Sequence, residues 1–297
     1  MKPIYVIGSA NADFTLHADR LPKLGETLSG RNFSVNIGGK GLNQAVAVSR
    51  LGGNARFIGA VGHDVNGAML LKAMADNHVA FDGICTENAT TGMAMITVVN
   101  GDNCILLHAG ANACVTPGML TEKMTLIQDA AAVIFQLEIP LETVMLGARL
   151  AHDAGVPVFL NPAPSAPLAD ALYPLIDYLI PNEHEAFALS AIPADTEDGC
   201  RENIRFFREK GVKNVLITRG EMGCAYNMEN EIRFCPAVKT QAVDTTSAGD
   251  TFVGALCVQL MQGKALPDAV EYACRACAIT VSRPGAAASI PFTSELQ

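Results

Sequence analysis

The sequence of 297 residues lacks any run of about 18 uncharged apolar residues, which is the length that a membrane-spanning helix requires. It also shows no signal peptide, because Met1-Lys2-Pro3 leads directly into a predicted strand. Together these two absences predict a soluble protein of the cytoplasm that has no membrane partner.

Positive charge is also scarce, with 21 Lys and Arg residues against 30 Asp and Glu residues and a formal net charge of −9. A nucleic-acid surface needs a stripe of basic side chains to neutralise phosphates, and the sequence contains no such stripe. We therefore expect no nucleic-acid partner. A protein with this charge can still bind a nucleotide at one local site.

The nine cysteines form no paired framework. An odd number of them, scattered through apolar segments such as Ala255-Leu256-Cys257, is typical of reduced thiols. Cys274 and Cys277 form one C-x-x-C. A zinc site normally needs a second such pair, and these two cysteines lie within a helical pattern, which favours a structural role over a metal or redox role.

Strand-like and helix-like segments alternate along most of the chain, and 49% of the residues are hydrophobic. This pattern predicts an α/β fold of three α/β/α layers, with a mostly parallel central sheet covered on both faces and ligands at the carboxyl ends of the strands. The predicted strands are Ile4–Gly8, Arg56–Ala60, Val133–Gln136, Val158–Leu160, Tyr178–Ile180 and Val215–Thr218. The predicted helices are Asn43–Leu51, Val65–Asn77, Leu141–Ala154, Asn203–Lys210 and 248–262.

Two segments, at residues 13–36 and about 91–109, interrupt this alternation. Within them, Asn100-Gly101-Asp102-Asn103 is a hairpin signal. The apolar pieces of the two segments either form a small second sheet over the ligand site or extend the main sheet. These pieces are Phe14-Thr15-Leu16, Phe33-Ser34-Val35, Met93–Val99 and Ile105–His108.

The segment from Asp244 to Phe252 places small residues and an acidic side chain at the start of an apolar helix. The amides of Ala248 and Gly249 would lie unpaired at the helix N-terminus, where such groups attract anions. Asp250 would then lie beside a bound phosphate and accept a proton from an incoming hydroxyl. The alternative is an acidic residue in the first turn of an ordinary helix.

This segment, read as Asp-Thr-Thr-Ser-Ala-Gly-Asp-Thr-Phe, resembles the C-terminal signature of the ribokinase-like (phosphofructokinase-B type) carbohydrate kinases. Their N-terminal signature is similar to Gly38-Gly39-Lys40-Gly41-Leu42-Asn43-Gln44-Ala45, and the likeness extends from Ile4 to about Pro291. The resemblance implies one kinase domain over residues 1–297. It also implies a lid, formed by segments 13–36 and about 91–109, that closes on the sugar and supplies a homodimer contact.

The resemblance further implies a kinase that uses ATP and magnesium to phosphorylate the 5-hydroxyl of D-ribose, with Asp250 as general base and Ala248 and Gly249 as an anion hole. Deoxyribose, fructose or a nucleoside remain alternative substrates, and a sugar-binding regulator without turnover is the alternative function. Taken alone, Asn11 and Asp13 after a strand favour a turn. The implied sugar ligands are Asn11, Asp13, Gly39, Lys40, Gly41, Asn43, Glu138 and Asp250.

No Walker A motif or dinucleotide fingerprint occurs, so the nucleotide must be held by another route. The resemblance places magnesium near Asn182 and Glu185, through water, because this ion keeps much of its hydration. The glycine-containing segment from Thr218 to Gly223 follows a predicted strand, and taken alone it would be a routine hairpin turn. The implied ATP ligands are Asn182, Glu185, Thr218, Arg219, Gly220, Glu221, Gly223 and Gly249.

The resemblance also implies an activating potassium ion, which prefers oxygen ligands. The alternative for the loop around Arg283 and Gly285 is that it simply ends a helix, which Pro284-Gly285 would do without a bound ion. Two residues depart from the family pattern: Cys274 stands where close relatives can carry a histidine near the adenine, and Ser247 stands where many carry glycine. The implied potassium ligands are Asp244, Thr246, Thr280, Arg283, Gly285 and Ser289.

Overall fold

The computed structural model of the chain describes residues 2–100, 102–229 and 231–296, and strands alternate with helices through most of them. The strands are β1 (Ile4–Ile7), β2 (Asn11–Ala18), β3 (Arg31–Gly38), β4 (Ala55–Ile58), β5 (Ala60–Gly62), β6 (Ala80–Phe81), β7 (Ile84–Thr86), β8 (Gly92–Val99), β9 (Asp102–His108), β10 (Ala132–Phe135), β11 (Val158–Leu160), β12 (Tyr178–Leu179), β13 (Asn214–Thr218), β14 (Cys224–Met228) and β15 (Glu231–Cys235). The α-helices are α1 (Lys40–Arg50), α2 (Val65–Asp76), α3 (Pro117–Thr121), α4 (Met124–Gln128), α5 (Leu141–Asp153), α6 (Glu183–Ser190), α7 (Glu197–Glu209), α8 (Ala248–Met261) and α9 (Leu266–Val281). Among the described residues, no helix is both long enough and apolar enough to cross a membrane.

Nine strands of the described residues form the central sheet, in the order β15-β14-β13-β12-β11-β10-β1-β4-β6. The strands from β6 to β13 are parallel to their neighbours, and β14 and β15 add an antiparallel edge. In β1, Ile4 and Val6 belong to one buried cluster, whereas Tyr5 and Ile7 belong to another. Successive side chains of a strand point to opposite faces, so helices cover both faces of the sheet. The predicted three-layer fold is confirmed.

The segment predicted as one strand, Arg56–Ala60, is divided at Gly59. Strand β4 stays in the central sheet beside β1, and β5 leaves it to pair with β7. A Cβ atom on residue 59 would lie 2.4 Å from the Phe57 ring, so only glycine fits where the chain changes direction. The prediction of a continuous strand is therefore wrong at this residue.

The helix predicted at Asn203–Lys210 begins earlier, at Glu197. The Thr196 hydroxyl caps it by accepting a hydrogen bond from the Gly199 amide at 3.0 Å. Glu197 and Asp198 occupy the first turn, where acidic side chains are favourable. The prediction followed apolar periodicity, and this charged turn does not continue that pattern.

The four apolar pieces that interrupt the alternation form a small sheet of their own, in the order β3-β2-β8-β9. Strand β2 is antiparallel to β3 and parallel to β8, and β8 is antiparallel to β9. The alternative, that these pieces extend the central sheet, is therefore wrong. Of the hairpin Asn100-Gly101-Asp102-Asn103, Gly101 lies outside the described residues. The single kinase domain with lid segments 13–36 and about 91–109 stays a prediction.

Helix α8 packs closely on α1. A Cβ atom on Gly254 of α8 would lie 2.6 Å from the Cβ atom of Ala47 in α1, so glycine permits the contact. The first turns of the two helices meet through side-chain hydrogen bonds, which are described below. The large apolar residues of α8 are buried or half-buried: Phe252, Val253, Leu256, Leu260 and Met261.

Candidate active site

The predicted ligands collect where parallel strands end. Asn11 begins β2 just after the short loop that follows β1, and the loop after β10 carries Glu138. Asn182 follows β12 and Thr218 ends β13, and the two residues form a parallel bridge with each other. The carboxyl ends of parallel strands lie at one edge of the sheet, which brings these residues to a common site. We call Asn11, Asp13, Lys40, Asn43, Glu138 and Asp250 the sugar half of the site. We call Asn182, Glu185 and the turn Thr218–Gly223 the nucleotide half.

In the sugar half, Asn112 fixes the orientation of Asn11. The oxygen Oδ1 of Asn112 accepts a hydrogen bond from the Ala10 amide at 2.9 Å, so its nitrogen Nδ2 must be the group that donates to Asn11 Oδ1, at 2.7 Å. The amide nitrogen of Asn11 is thereby left as a donor. Asp13, two residues on, offers carboxylate acceptors.

The start of α1 is closed by the protein itself. Gly39 precedes the helix with φ at 86°, a left-handed conformation that favours glycine, so α1 begins at Lys40 and not at the predicted Asn43. Glu138 Oε2 accepts from the Lys40 amide at 3.0 Å and from the Ser9 hydroxyl at 2.5 Å. The Gly41 amide donates to Ser9 Oγ at 3.3 Å. The first amides of α1 therefore already have partners.

Asp250 lies in the first turn of α8 with 6% of its surface exposed. Its oxygen Oδ2 accepts from Asn43 Nδ2 at 3.1 Å, and Oδ1 accepts from Gln44 Nε2 at 3.0 Å. Burial raises the pKa of this carboxyl above its ordinary value, and the charge of Lys40 together with these two hydrogen bonds opposes the rise. The arrangement supplies a fixed carboxylate with increased proton affinity.

Lys40 lies among carboxylates. Burial lowers the pKa of its ammonium group, but Asp250, Glu138 and Glu185 together raise it further, so the net change is upward and Lys40 is cationic. For Asp13, burial and the negative charges of Glu138 and Asp250 all act against ionisation, and they raise its pKa to about 7. The sugar half thus holds more acidic groups than the charge of Lys40 neutralises.

The start of α8 is more open than the start of α1. The prediction that the Ala248 amide is unpaired is wrong, because this amide donates to the Thr245 carbonyl in a long bond of 3.3 Å that closes a turn. Among the described residues, the amides of Gly249 and Asp250 have no hydrogen-bond partner. A Cβ atom on Gly249 would have no atom within 4 Å, which leaves space above this end of the helix. The end of α8 therefore fits an anion.

In the nucleotide half, Asn182 and Glu185 cap α6 reciprocally. The Asn182 amide donates to Glu185 Oε2 at 2.9 Å, and the Glu185 amide donates to Asn182 Oδ1 at 2.8 Å. One carboxylate oxygen of Glu185 remains for another ligand. One free carboxylate oxygen can bind the waters of a hydrated magnesium ion, but it is too few ligands for an ion without its waters. Burial raises the pKa of Glu185 above its ordinary value, and the hydrogen bond from the Asn182 amide and the charge of Lys40 offset only part of this rise.

The turn from Thr218 to Gly223 closes through the Arg219 amide, which donates to the Gly223 carbonyl at 2.8 Å. Gly220 has φ at 50° and no atom within 4 Å of a Cβ position, so its backbone is open to a ligand. The Arg219 guanidinium is buried against the Phe234 ring, 5.6 Å from its centroid. Glu221 is exposed.

The predicted potassium loop is held by Asp244. Its oxygen Oδ1 accepts from the Thr246 amide at 2.9 Å, and Oδ2 accepts from the Gly285 amide at 2.9 Å. These hydrogen bonds lower the pKa of Asp244 despite its partial burial. The Arg283 guanidinium forms an ion pair with Glu295 at 2.5 Å, and this pair neutralises the positive charge of Arg283. The oxygen-rich loop therefore fits a monovalent cation.

The structure does not bring every predicted potassium ligand together through its side chain. The Thr280 hydroxyl donates to the Ala276 carbonyl at 3.1 Å, and the Ser289 hydroxyl donates to the Ala286 carbonyl at 2.8 Å. Both side chains are buried and use their hydroxyl hydrogens within the protein. Within the described residues, no group of three or more His, Cys, Asp or Glu side chains is placed to hold a metal ion, and Cys274 and Cys277 belong to no such group.

Three polar residues of the site, Ser9, Gln44 and Asn112, were not predicted from the sequence. Ser9 was foreseeable, since it lies between Gly8 and Asn11 in the loop after β1. Gln44 belongs to the quoted N-terminal motif, but nothing in its spacing indicated a role. Asn112 lies far along the chain from Asn11, so only the tertiary structure reveals the contact.

An open helix end beside a buried carboxylate, on a three-layer α/β/α fold, is the arrangement of a phosphotransferase. The model of the pfkB family of carbohydrate kinases matches residues 1–293. Ribokinase of Schizosaccharomyces pombe is 42% identical over 99% of this chain and 96% of its own length. Ribokinase of Haemophilus influenzae is 38% identical over 99% and 97%. The solved structure of Arabidopsis thaliana ribokinase complexed with ribose and ATP is 32% identical, covers 99% of this chain and 97% of its own, and has a TM-score of 0.95. The chain belongs to the pfkB family of carbohydrate kinases, which transfer phosphate to a sugar hydroxyl.

Proposed function

We propose that this carbohydrate kinase transfers the terminal phosphoryl group of ATP to the primary 5-hydroxyl of D-ribose. The observation that carries the proposal is Asp250, a buried carboxylate held by two amide donors beside the open amide of Gly249. Relatives over nearly the full length are ribokinases, and one related structure holds ribose and ATP.

The sugar would lie between the small sheet, acting as a lid, and the central sheet. Asn11 offers a donor and Asp13 offers acceptors, and a vicinal diol has hydroxyls that satisfy both. Lys40 would donate from the start of α1. Further contacts would come from Gly39, Gly41, Asn43 and Glu138.

In the proposed reaction, Asp250 accepts the proton of the 5-hydroxyl while the hydroxyl oxygen bonds to the terminal phosphorus of ATP. The bond from that phosphorus to the bridging oxygen breaks, and ADP leaves. The amide of Gly249 and the ammonium of Lys40 stabilise negative charge on the transferred group, and the Ala248 amide would join them if its long bond to Thr245 opens.

ATP would lie over the nucleotide half, with its phosphates toward the first turn of α8. Asn182 and Glu185 would hold the waters of magnesium, which neutralises the phosphate charge when it is bound with ATP. The ligands in the turn would be Thr218, Arg219, Gly220, Glu221 and Gly223, mainly through backbone atoms. Potassium at Asp244, Thr246, Thr280, Arg283, Gly285 and Ser289 would order the loop that precedes α8.

We also propose that two copies pair through the outer surface of the small sheet, in the cytoplasm, where ATP is supplied and thiols stay reduced. Several large apolar side chains of this sheet are exposed, and an exposed patch of this kind marks an interaction surface. Those on the face opposite Asp13 are Leu16, Phe33, Met95 and Leu106. Sedimentation of the purified protein and of Leu106→Glu tests this: a dimer that the substitution dissociates supports it, and a monomeric parent protein refutes it.

The experiment that tests the reaction is an ADP-release assay with ATP, magnesium and potassium against ribose, deoxyribose, fructose and nucleosides. Strong preference for ribose, with ribose 5-phosphate as the product, is the expected result. Turnover with another compound only would keep the mechanism and overturn the substrate. Binding of ribose without turnover of any compound would instead favour a sugar-binding regulator.

A further inference from the structure

Gln44 contacts the proposed general base from a position that no ligand can reach. Its side chain is fully buried in the first turns of α1. The nitrogen Nε2 donates to Asp250 Oδ1 at 3.0 Å and to Asn161 Oδ1 at 3.2 Å. Both hydrogen atoms of this amide therefore have acceptors.

The orientation of the Gln44 amide is fixed by a chain of hydrogen bonds that ends on the backbone. Asn161 Nδ2 donates to the Ile180 carbonyl at 2.9 Å, so the other end of Asn161 must be the oxygen that faces Gln44. On the far side, Gln136 Nε2 donates to Gln44 Oε1 at 2.6 Å. A flipped Gln44 would present its oxygen to both Asp250 and Asn161, which are acceptors, so only one orientation is compatible with the network.

The two donors on Asp250 differ in what else they do. Asn43, which donates to Oδ2, is itself a proposed sugar ligand, and a bound sugar competes for its side chain. Gln44 is held by residues at the ends of β10, β11 and β12 and is shielded from the sugar. Gln44 is thus the donor that stays in place when substrate binds.

We propose that Gln44 is a positioning residue that fixes the rotation of the Asp250 carboxylate and stabilises its charged form. The inference rests on the proposed function, in which Asp250 is the base. A hydrogen bond to the charged form of a carboxyl favours that form. Without Gln44, the carboxylate can rotate away from the sugar hydroxyl, and it binds a proton more readily in the enzyme–substrate complex.

The test compares the parent protein with Gln44→Met, which keeps the length of the side chain and removes the donor. We expect kcat to fall about 10- to 100-fold, a part of the whole contribution of a general base, with KM for ribose changed by less than about threefold. The acidic limb of the kcat profile should move to higher pH. A role in packing alone would lower the melting temperature and leave the pH profile in place.

Two further variants keep the test decisive. Gln136→Met loosens Gln44 without touching Asp250, so it should shift the pH profile in the same direction with a smaller loss of kcat, even if Gln44→Met does not fold. Gln128→Met, on the exposed side of α4, controls for the chemistry of the substitution and should leave kinetics unchanged.

The outcomes separate the inference from the proposed function. A parent protein that phosphorylates no sugar contradicts the proposed function, whatever Gln44 does. An active parent protein whose Gln44→Met and Gln136→Met variants keep the parent kcat and pH profile overturns the inference and leaves the function standing.

Discussion

Helices α1 and α8 both begin with glycine and small residues at the same site, but their first amides have different partners. In α1, Glu138 accepts from the Lys40 amide, and Ser9 accepts from the Gly41 amide. In α8, the Gly249 amide has no partner among the described residues, and space remains above it. Either helix end could have bound a phosphate on the basis of its sequence alone.

The difference teaches how one site can separate two ligands. A closed helix end has no backbone donors left for an anion, so α1 contributes side chains and a rigid loop to the sugar half. An open helix end keeps donors for charge that develops during the reaction, which is the role proposed for α8. The protein assigns each end by placing, or by omitting, a carboxylate in front of it.

The largest effect should come from Asp250 at the open end. Asp250→Asn keeps the shape and removes the base, so turnover should fall about 1,000-fold or more, at the upper range for general base catalysis. Ribose binding, measured by calorimetry, should remain within a few-fold of the parent protein, because the asparagine oxygen can still accept from Gln44 and only the hydrogen bond from Asn43 is lost. Phosphorylation at the parent rate would refute the assignment of Asp250.

Opening the closed end should have the next largest effect. Glu138→Ala leaves the Lys40 amide and the Ser9 hydroxyl without their acceptor, and an unpaired buried polar group costs about 1–3 kcal/mol. KM for ribose should rise about 10- to 100-fold, with KM for ATP nearly unchanged. Glu138→Gln is the matched control, since the glutamine oxygen can still accept from both groups. Its KM for ribose should lie between the values of the parent protein and of Glu138→Ala. Equal KM values in all three proteins would contradict the role of Glu138 in the sugar half.

Potassium should act on the open end alone. Replacing potassium by sodium should lower kcat about fivefold or more by loosening the loop before α8, a magnitude typical of coupling between two sites. In Asp244→Asn, the amide nitrogen would face the Gly285 amide, donor against donor, and the response to potassium should disappear. Equal rates in both salts would contradict the proposed cation site.

The pH dependence of sugar phosphorylation should depend on Asp13, which belongs to the sugar half together with the closed end of α1. Its pKa of about 7 in the unliganded protein means that the carboxylate form, which accepts from sugar hydroxyls, is lost as pH falls below that value. We expect kcat/KM for ribose, which reports the free enzyme, to fall about tenfold per pH unit there.

The same shift predicts stability. A carboxyl whose pKa is raised on folding, here from 3.8 to about 7, stabilises the folded protein at low pH, and that contribution is lost as pH rises from the lower value through the upper one. The melting temperature of the unliganded protein should therefore decrease between about pH 5 and pH 7 and level off above that. Asp13→Asn should reduce this decrease; a slope that is unchanged in the variant would assign the effect to other groups.

The smallest effect should come from Ser247, the residue before α8. It has φ at 60°, a left-handed conformation that is unfavourable for residues with a Cβ atom, and its buried hydroxyl has no partner among the described residues. Ser247→Gly should stabilise the protein by about 1 kcal/mol in urea unfolding. Ser247→Ala is the control, because it removes the hydroxyl and keeps the strained conformation. A larger gain in Ser247→Ala would mean that the hydroxyl, and not the backbone, carries the cost.

Prediction from sequence was most successful where the signal is local. The bounds of strand β11 were predicted to the residue. The predicted bounds of the other strands of the central sheet differ from the observed bounds by one or two residues, apart from the break at Gly59. The starts of α1 and α7 were missed, because a glycine in a left-handed conformation and a charged first turn carry no apolar periodicity. The amide of Ala248 was expected to be free and instead closes a turn with Thr245.

The sequence by itself determined the layered fold, the order of its elements and the two motifs that bear the chemistry, since each of these is written in neighbouring residues. Tertiary structure alone decided which helix end stays open and which side chains orient the ligands. Asn112 reaches Asn11, and Gln44 reaches Asp250 and Asn161, across distant parts of the chain. A hydrogen bond depends on the position and angle of its two groups in space, and spacing along the chain does not record either.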